Sequence, residues 1–191
     1  FYVKNNDANP DGDGSDWENA FQNLEDAIAA SAVSEIWVAA GTYTSAFKIK
    51  TGMHIYGGFS GVESTLDERD WIQNETILRN PDGTVVTFNN VSNETILDGF
   101  TIKDGNAENE GGGILNKDGS PQIANCIIRD NTARTGGGIY NKARIATANP
   151  TFINCIISGN SAPGPVSGSQ GGGIYNYADG TLYASGDVSI D

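Results

Sequence analysis

The densest run of potential metal ligands is Asp7-x-Asn9-x-Asp11-Gly12, followed at the loop's twelfth position by Glu18. This spacing offers oxygens at positions 1, 3, 5 and 12 around a turn glycine, which is how a loop presents hard donors to calcium. Asp13 adds a carboxylate, so the calcium candidates are Asp7, Asn9, Asp11, Asp13 and Glu18. The same stretch has a competing use: Ser15-x-x-Glu18 has the form of a capping box for a helix starting near Trp17. Pro10 inside the loop, and a strand instead of a helix before it, also depart from the usual calcium-loop context. The catalytic candidates are Lys103, Asp104, Arg129 and Asp130, two pairs of a cation beside a carboxylate. Such a pair could grip or deprotonate a uronic acid, as lyase chemistry requires. Exposed pairs of this kind otherwise contribute little. Ser158-Gly159 replaces the pair in the following repeat, so no long charged groove is expected. The single histidine, His54, has no nucleophile or metal motif attached and is assigned to a strand edge. None of the triple glycines is followed by Gly-Lys-Ser/Thr, which leaves them as turns and not phosphate loops. Asn74, Asn90 and Asn93 lie in N-x-S/T sequons, which matter only in a eukaryotic secretory route.

The elements that position these residues are repeats. Gly111-Gly112-Gly113-Ile114-Leu115-Asn116 returns as GGGIYN at 136–141 and 171–176. Between them the segment beginning at Pro121 and containing Asn125-Cys126-Ile127-Ile128 returns from Pro150 with Asn154-Cys155-Ile156-Ile157, an offset of 29 residues. A degenerate copy places Phe100 where Cys126 and Cys155 fall, and Asn74-Glu75-Thr76-Ile77-Leu78 returns at 93–97. Short runs rich in Ile, Val, Phe and Thr, bounded by Gly, Asn, Asp or Pro, read as strands, and strands at a steady period stack in parallel. The fold class expected is all-β: a right-handed parallel β-helix. Counting runs at Trp37, Ile55, Ile77, Ile96, Ile123, Phe152 and Leu182 predicts about seven coils in a rod on the order of 30 Å long. Alternation puts Cys126, Ile128, Cys155 and Ile157 inside and Ile127, Arg129, Ile156 and Ser158 outside. Asn131 and Asn160, with Asn106 one residue late, are expected to form an asparagine ladder. Cys126 and Cys155 should stack in adjacent coils; the spacing is compatible with a disulfide, and packed free thiols are favoured.

Trp17, Ala20, Phe21, Leu24, Ala27 and Ile28 fall at helical spacing, which predicts an amphipathic capping helix over 17–31 covering the open end of the solenoid. The division is thus an amino-terminal strand, Asp/Gly-rich loop and capping helix over 1–31, then coils over 32–191. No apolar run approaches the 18 to 20 or so residues of a membrane-spanning helix. A net charge of −13 argues against a nucleic-acid partner, since binding would bring repulsion where counterion release is needed. The absence of a matching carboxy-terminal cap leads to the expectation that the native chain continues past Asp191.

Tyr2-Val3, the Asp/Gly-rich loop, Ser15-Asp16-Trp17-Glu18-Asn19-Ala20-Phe21, Ile36-Trp37-Val38-Ala39-Ala40-Gly41-Thr42-Tyr43, Ile55-Tyr56-Gly57-Gly58-Phe59-Ser60-Gly61 and Arg69-Asp70-Trp71 together resemble the start of the secreted right-handed parallel β-helix proteins of Bacteroidetes. The GGGIYN and NCII repeats are similar to those of polymorphic outer-membrane proteins and autotransporter-like adhesins. The resemblance implies secretion or cell-surface display, within a longer chain carrying a carboxy-terminal sorting or anchoring domain. Pectate-lyase-like enzymes share this architecture, but no catalytic motif of theirs aligns onto these residues, and fold alone does not assign an activity.

The expected function is therefore a rigid adhesive or structural display module contacting glycans or surface proteins through an outer face with Thr101, Ile127, Ile156, Tyr140, Tyr175 and Tyr177. The alternative is a polysaccharide-active lyase or glycoside hydrolase, which needs clustered carboxylates with a cation or base in one groove. Ice binding would need flat threonine arrays that the sequence lacks. Calcium is the one cofactor suggested.

Overall fold

Strands of two to six residues cannot bury a face alone; they do so by stacking on their copies. The computed structural model describes residues 1–5, 9–30, 35–144, 148–163 and 170–178, and in it these strands form a parallel β-helix. Each coil contributes one strand to each of three sheets. The first face stacks Tyr2–Val3, Glu35–Ala39, His54–Phe59, Ile96–Asp98, Gln122–Ala124 and Thr151–Ile153. The second stacks Gly41–Thr44, Thr76–Arg79, Thr101–Lys103, Ile127–Arg129 and Ile156–Ser158. The third stacks Phe47–Ile49, Val86–Asn89, Ile114–Lys117, Ile139–Ala143 and Ile174–Ala178. A further parallel pair, Asn106–Glu110 with Thr132–Thr135, lies between the second and third faces.

The described residues thus form five coils, where sequence spacing suggested about seven. Ile55 and Ile77, counted as successive repeats, lie on the first and second faces of one coil, separated by the long excursion 60–75. The identical segments at 74–78 and 93–97 are not equivalent either: Ile77 pairs with Thr101 on the second face, whereas Ile96 pairs with His54 on the first. Leu182 lies outside the described residues. Four coil steps of about 4.8 Å give a described stack about 20 Å tall, shorter than expected.

The interior follows the predicted alternation. Leu97, Ile102, Ile123 and Ile128 are fully buried, Cys126 is buried and Ile157 nearly so, while Ile156 faces out. Register places Cys126 and Cys155 above Phe100 at the corner between the first two faces. The asparagine ladder forms: Asn131 Nδ2 donates to Ile102 O (3.0 Å) and Asn160 Oδ1 (3.0 Å), and Asn160 Nδ2 donates to Ile128 O (2.8 Å). Asn106 is not a rung. Asn106 pairs with Thr132, so Gly105 occupies the rung position and donates its N–H to Asn131 Oδ1 at 2.8 Å. The GGG turns need glycine for two reasons. Gly111, Gly136 and Gly171 take left-handed φ values of 63–64°, and a Cβ on Gly112 would sit 2.5 Å from the Gly137 carbonyl oxygen of the next coil.

The capping helix is shorter than predicted, spanning Leu24–Ala30, with Leu24, Ala27 and Ile28 buried. Trp17, Ala20 and Phe21 precede it, and the Phe21 backbone is used otherwise: Phe21 N–H donates to Tyr2 O (2.9 Å) and Lys4 N–H to Phe21 O (2.9 Å), a bridge to the first strand. Ser15 and Glu18 therefore do not cap it. Lys50 Nζ closes the other end by donating to Ile28 O at 2.6 Å, where a cation also meets the negative end of the helix dipole.

Candidate functional site

The corner between the first and second faces is a one- or two-residue bend in most coils: Ala40, Gly99-Phe100, Asn125-Cys126, Asn154-Cys155. In the second coil it opens into residues 60–75, which fold back over the corners of the later coils. Two backbone anion holes shape this excursion. The Glu63 carboxylate accepts from Ser60 N (2.6 Å), Gly61 N (3.0 Å) and Val62 N (3.0 Å). Burial opposes its charge, yet these N–H groups hold its carboxyl below the ordinary range. Glu68 Oε2 accepts from Ser64 N (2.7 Å) and Thr65 N (3.1 Å) as the closing arm of a capping box, which lowers its pKa too.

Arg69 pins the excursion to the solenoid. Its side chain is almost buried; Nη1 donates to Gly57 O (3.1 Å) and Asp98 O (3.3 Å), and Nη2 pairs with Asp98 Oδ1 at 3.0 Å. The guanidinium lies over the rings of Tyr56 (5.1 Å) and Trp71 (5.0 Å), a stacked cation with its charge neutralised at Asp98. Asp98 continues outward along an amide chain: Asn125 Nδ2 donates to Asp98 Oδ1 (2.9 Å) and Asn154 Nδ2 to Asn125 Oδ1 (2.7 Å). Trp71 is thus held rigid while 36 % exposed, and Ile72 beside it is 77 % exposed.

Between this wall and the second face runs a groove of about 270 Å³. Trp71 and Ile72 form one side; Thr101, Ile127 and Ile156, stacked one per coil, form the other. Phe100 and Cys126 lie at the bottom, and Asn125 and Asn154 supply amides along it. Glu75 also lines it, with Oε1 accepting from Thr101 Oγ1 at 2.8 Å. The groove can therefore offer an apolar plane, a lateral row of amides and a fixed aromatic edge. The hydroxyl that meets a carboxylate here, Thr101 against Glu75, is buried under the groove floor at 2 % exposure.

The charged candidates are brought together as expected. Arg129 pairs with Lys103 across the strands, and Arg79, which the repeat comparison missed, extends the column. Asp104 lies 3.7 Å from both Lys103 Nζ and Arg79 Nε, and Asp130 2.6 Å from Arg129 Nη1. Both aspartates take left-handed φ of 55°, the conformation of turn residues, and both are committed to ion pairs on the rim beyond the groove.

The outer face expected to join Ile127 and Ile156 with the tyrosines is two faces. Tyr140 and Tyr175 stack on the third sheet (5.4 Å), away from Thr101, Ile127 and Ile156 on the second. Tyr140 is buried, and its hydroxyl is pushed up to about 12 by burial and by Glu110. His54 lies on the first face, edge-on to Tyr56 at 6.4 Å. Of the sequon residues, Asn74 holds the excursion through Gly58 O (3.3 Å), while Asn90 and Asn93 line a second, polar cleft of about 650 Å³ at the opposite corner. Among the described residues that cleft has no aromatic wall, and its carboxylate, Asp118, is clamped by Arg144 Nε (2.9 Å) and Nη2 (2.7 Å).

Asp7 of the calcium candidates lies outside the described residues. Of the rest, Asn9 Oδ1 accepts from Asp11 N (3.1 Å) and Asp13 Oδ1 from Ser15 N (3.0 Å), while Glu18 is exposed. Among the described residues no three His, Cys, Asp or Glu side chains converge as a metal site would require.

Parallel coils, asparagine ladders and a lateral groove define a β-solenoid with an elaborated corner. The chain belongs to the right-handed β-helix family, whose model matches residues 25–188. No curated protein and no solved structure matches it. The sequence repeats had signalled the family's architecture; Trp71 and Arg69 were visible only as part of the Arg69-Asp70-Trp71 motif, with nothing to reveal that Trp71 lines one groove with Asn125 and Ile156.

Proposed function

We propose that the chain is a secreted or cell-surface display module that binds glycans along the second-face groove, within a longer chain that carries its sorting or anchoring domain. The observation that carries this reading is Trp71, an exposed indole fixed by Arg69 and facing an apolar stripe beside a row of amides. Sugars present C–H faces to aromatic rings and hydroxyls to amides, and a preorganised wall avoids the ordering cost of binding. The resemblance to surface adhesins supports the location. Polysaccharide cleavage is the competing reading, and the Lys103–Asp104 and Arg129–Asp130 pairs are the groups it would use.

Retention of the protein on a panel of immobilised neutral and uronic-acid polysaccharides, with new reducing or unsaturated ends scored in the same tubes, separates the two. Binding without product, weakened roughly tenfold by Trp71→Ala, is expected. Product formation that disappears in Arg129→Ala or Asp130→Ala would replace this reading with an enzyme. Retention indifferent to Trp71→Ala would move the site elsewhere. Calcium in the loop containing Asp7, Asn9, Asp11, Asp13 and Glu18 is proposed separately: a melting temperature unchanged by millimolar calcium or by chelator removes it.

A further inference from the structure

Cys126 and Cys155 occupy the same corner position in successive coils, since Ile127 and Ile156, the residues after them, are register partners. Strands in register stand about 4.8 Å apart, inside the range of about 4.4–6.8 Å that Cα atoms span in disulfides. Both sulfurs point into one buried layer. Cys126 Sγ contacts Ala124 O (3.1 Å) and Leu97 O (3.8 Å), and Cys155 Sγ contacts Ile153 O (3.4 Å) and Ile123 O (3.5 Å). The stack holds only two thiols, because Phe100 occupies the position in the coil below. Elsewhere in the described coils asparagine amides tie neighbouring corners together; here two thiols lie between the Asn125–Asn154 amide link and the Ile127–Ile156 pair with no covalent tie.

We propose that Cys126 and Cys155 are an oxidisable pair that closes into an inter-coil disulfide under extracellular redox conditions. The two thiols differ in a way that orders the reaction. Cys155 is 8 % exposed and Cys126 fully buried. Burial raises the Cys126 thiol well above its ordinary value, while the hydrogen bond from Cys126 is the main cause that lowers Cys155. The Cys155 thiolate attacks one sulfur of a small disulfide such as oxidised glutathione, forming a mixed disulfide and releasing one glutathione thiol. Cys126 sulfur then attacks Cys155 sulfur and displaces the second glutathione. The protein loses two electrons and two thiol protons, and both are recovered in two molecules of reduced glutathione. The bond would staple the fourth and fifth described coils beside the groove without moving the strands that already hold the sulfurs together.

The whole chain is incubated natively in an oxidising glutathione buffer, and separately refolded from denaturant in the same buffer. Thiols are then counted in denaturant, the intact mass is measured and peptides are mapped. Loss of both thiols, a mass lower by two hydrogens and a linked Cys126–Cys155 peptide are expected, with a melting temperature roughly 5–10 °C above that of the reduced protein. Cys126→Ser should leave Cys155 as a glutathione adduct with no such gain. Two thiols still titrating after refolding, separate glutathione adducts on each cysteine of the unmodified protein, or a disulfide between molecules would each overturn the proposal. The mapped peptide decides the matter even where the serine variant fails to fold.

Discussion

The same corner is built twice in opposite ways. In the fourth and fifth described coils Asn125-Cys126 and Asn154-Cys155 turn in two residues and stack side chain on side chain, so each coil templates the next. In the second coil residues 60–75 do the turning, with no copy above or below, and their position depends on internal carboxylate–N–H contacts and on Arg69. Repetition yields a stiff surface with little individuality, whereas the unrepeated excursion supplies the exposed indole and the groove. Recognition is therefore expected where the repeat is interrupted.

Breaking the regular side should have the largest effect on stability. Asn131→Ala removes the amide that serves Ile102 O and Gly105 N in a fully buried site, and a loss of about 3 kcal/mol is expected in chemical denaturation. A change under about 1 kcal/mol would show that the ladder is ornamental. On the interrupted side, Arg69→Ala leaves Asp98 without its cation and releases Trp71. A cost of about 2 kcal/mol is expected, with protease cleavage concentrating within 60–75 while the coils stay protected. Equal cleavage across the coils would mean that the excursion and solenoid unfold as one unit.

The excursion also responds to pH. The carboxyls of Glu63 and Glu68 are lowered in the folded chain, so the unfolded chain takes up their protons first on acidification. Their stabilisation is complete above the ordinary glutamate value of about 4.3 and is lost as pH falls below it toward the folded values. Glu63→Gln should flatten the dependence of melting temperature on pH in that window and leave it unchanged near neutrality relative to the variant's own baseline. The smallest effect belongs to the rim: Arg129→Ala should cost less than about 1 kcal/mol, because its pair with Asp130 is solvent-exposed.

Much of the fold was legible because stacking leaves a mark in sequence. The NCII repeat showed its alternation directly, and Cys126, Ile128 and Ile157 are inside as that alternation requires. The helix was visible but overextended, since Trp17 and Phe21 satisfy helical spacing while their segment is claimed by a bridge to Tyr2 and Lys4. The groove was the least legible part: Trp71, Asn125 and Ile156 are far apart in the chain, and apolar or amide side chains carry no motif for binding.

By itself the sequence determined the parallel solenoid, its inward and outward residues and its asparagine ladder, because residues repeated at one period must meet their own copies in neighbouring coils. Tertiary structure alone decided that Ile55 and Ile77 share a coil, that Gly105 replaces Asn106 as a rung, and that the tyrosines and the isoleucine stripe face different ways. It also decided where the excursion lies. An unrepeated segment has no copy to register against, so its position comes from contacts such as Arg69 with Asp98 that link residues distant in sequence.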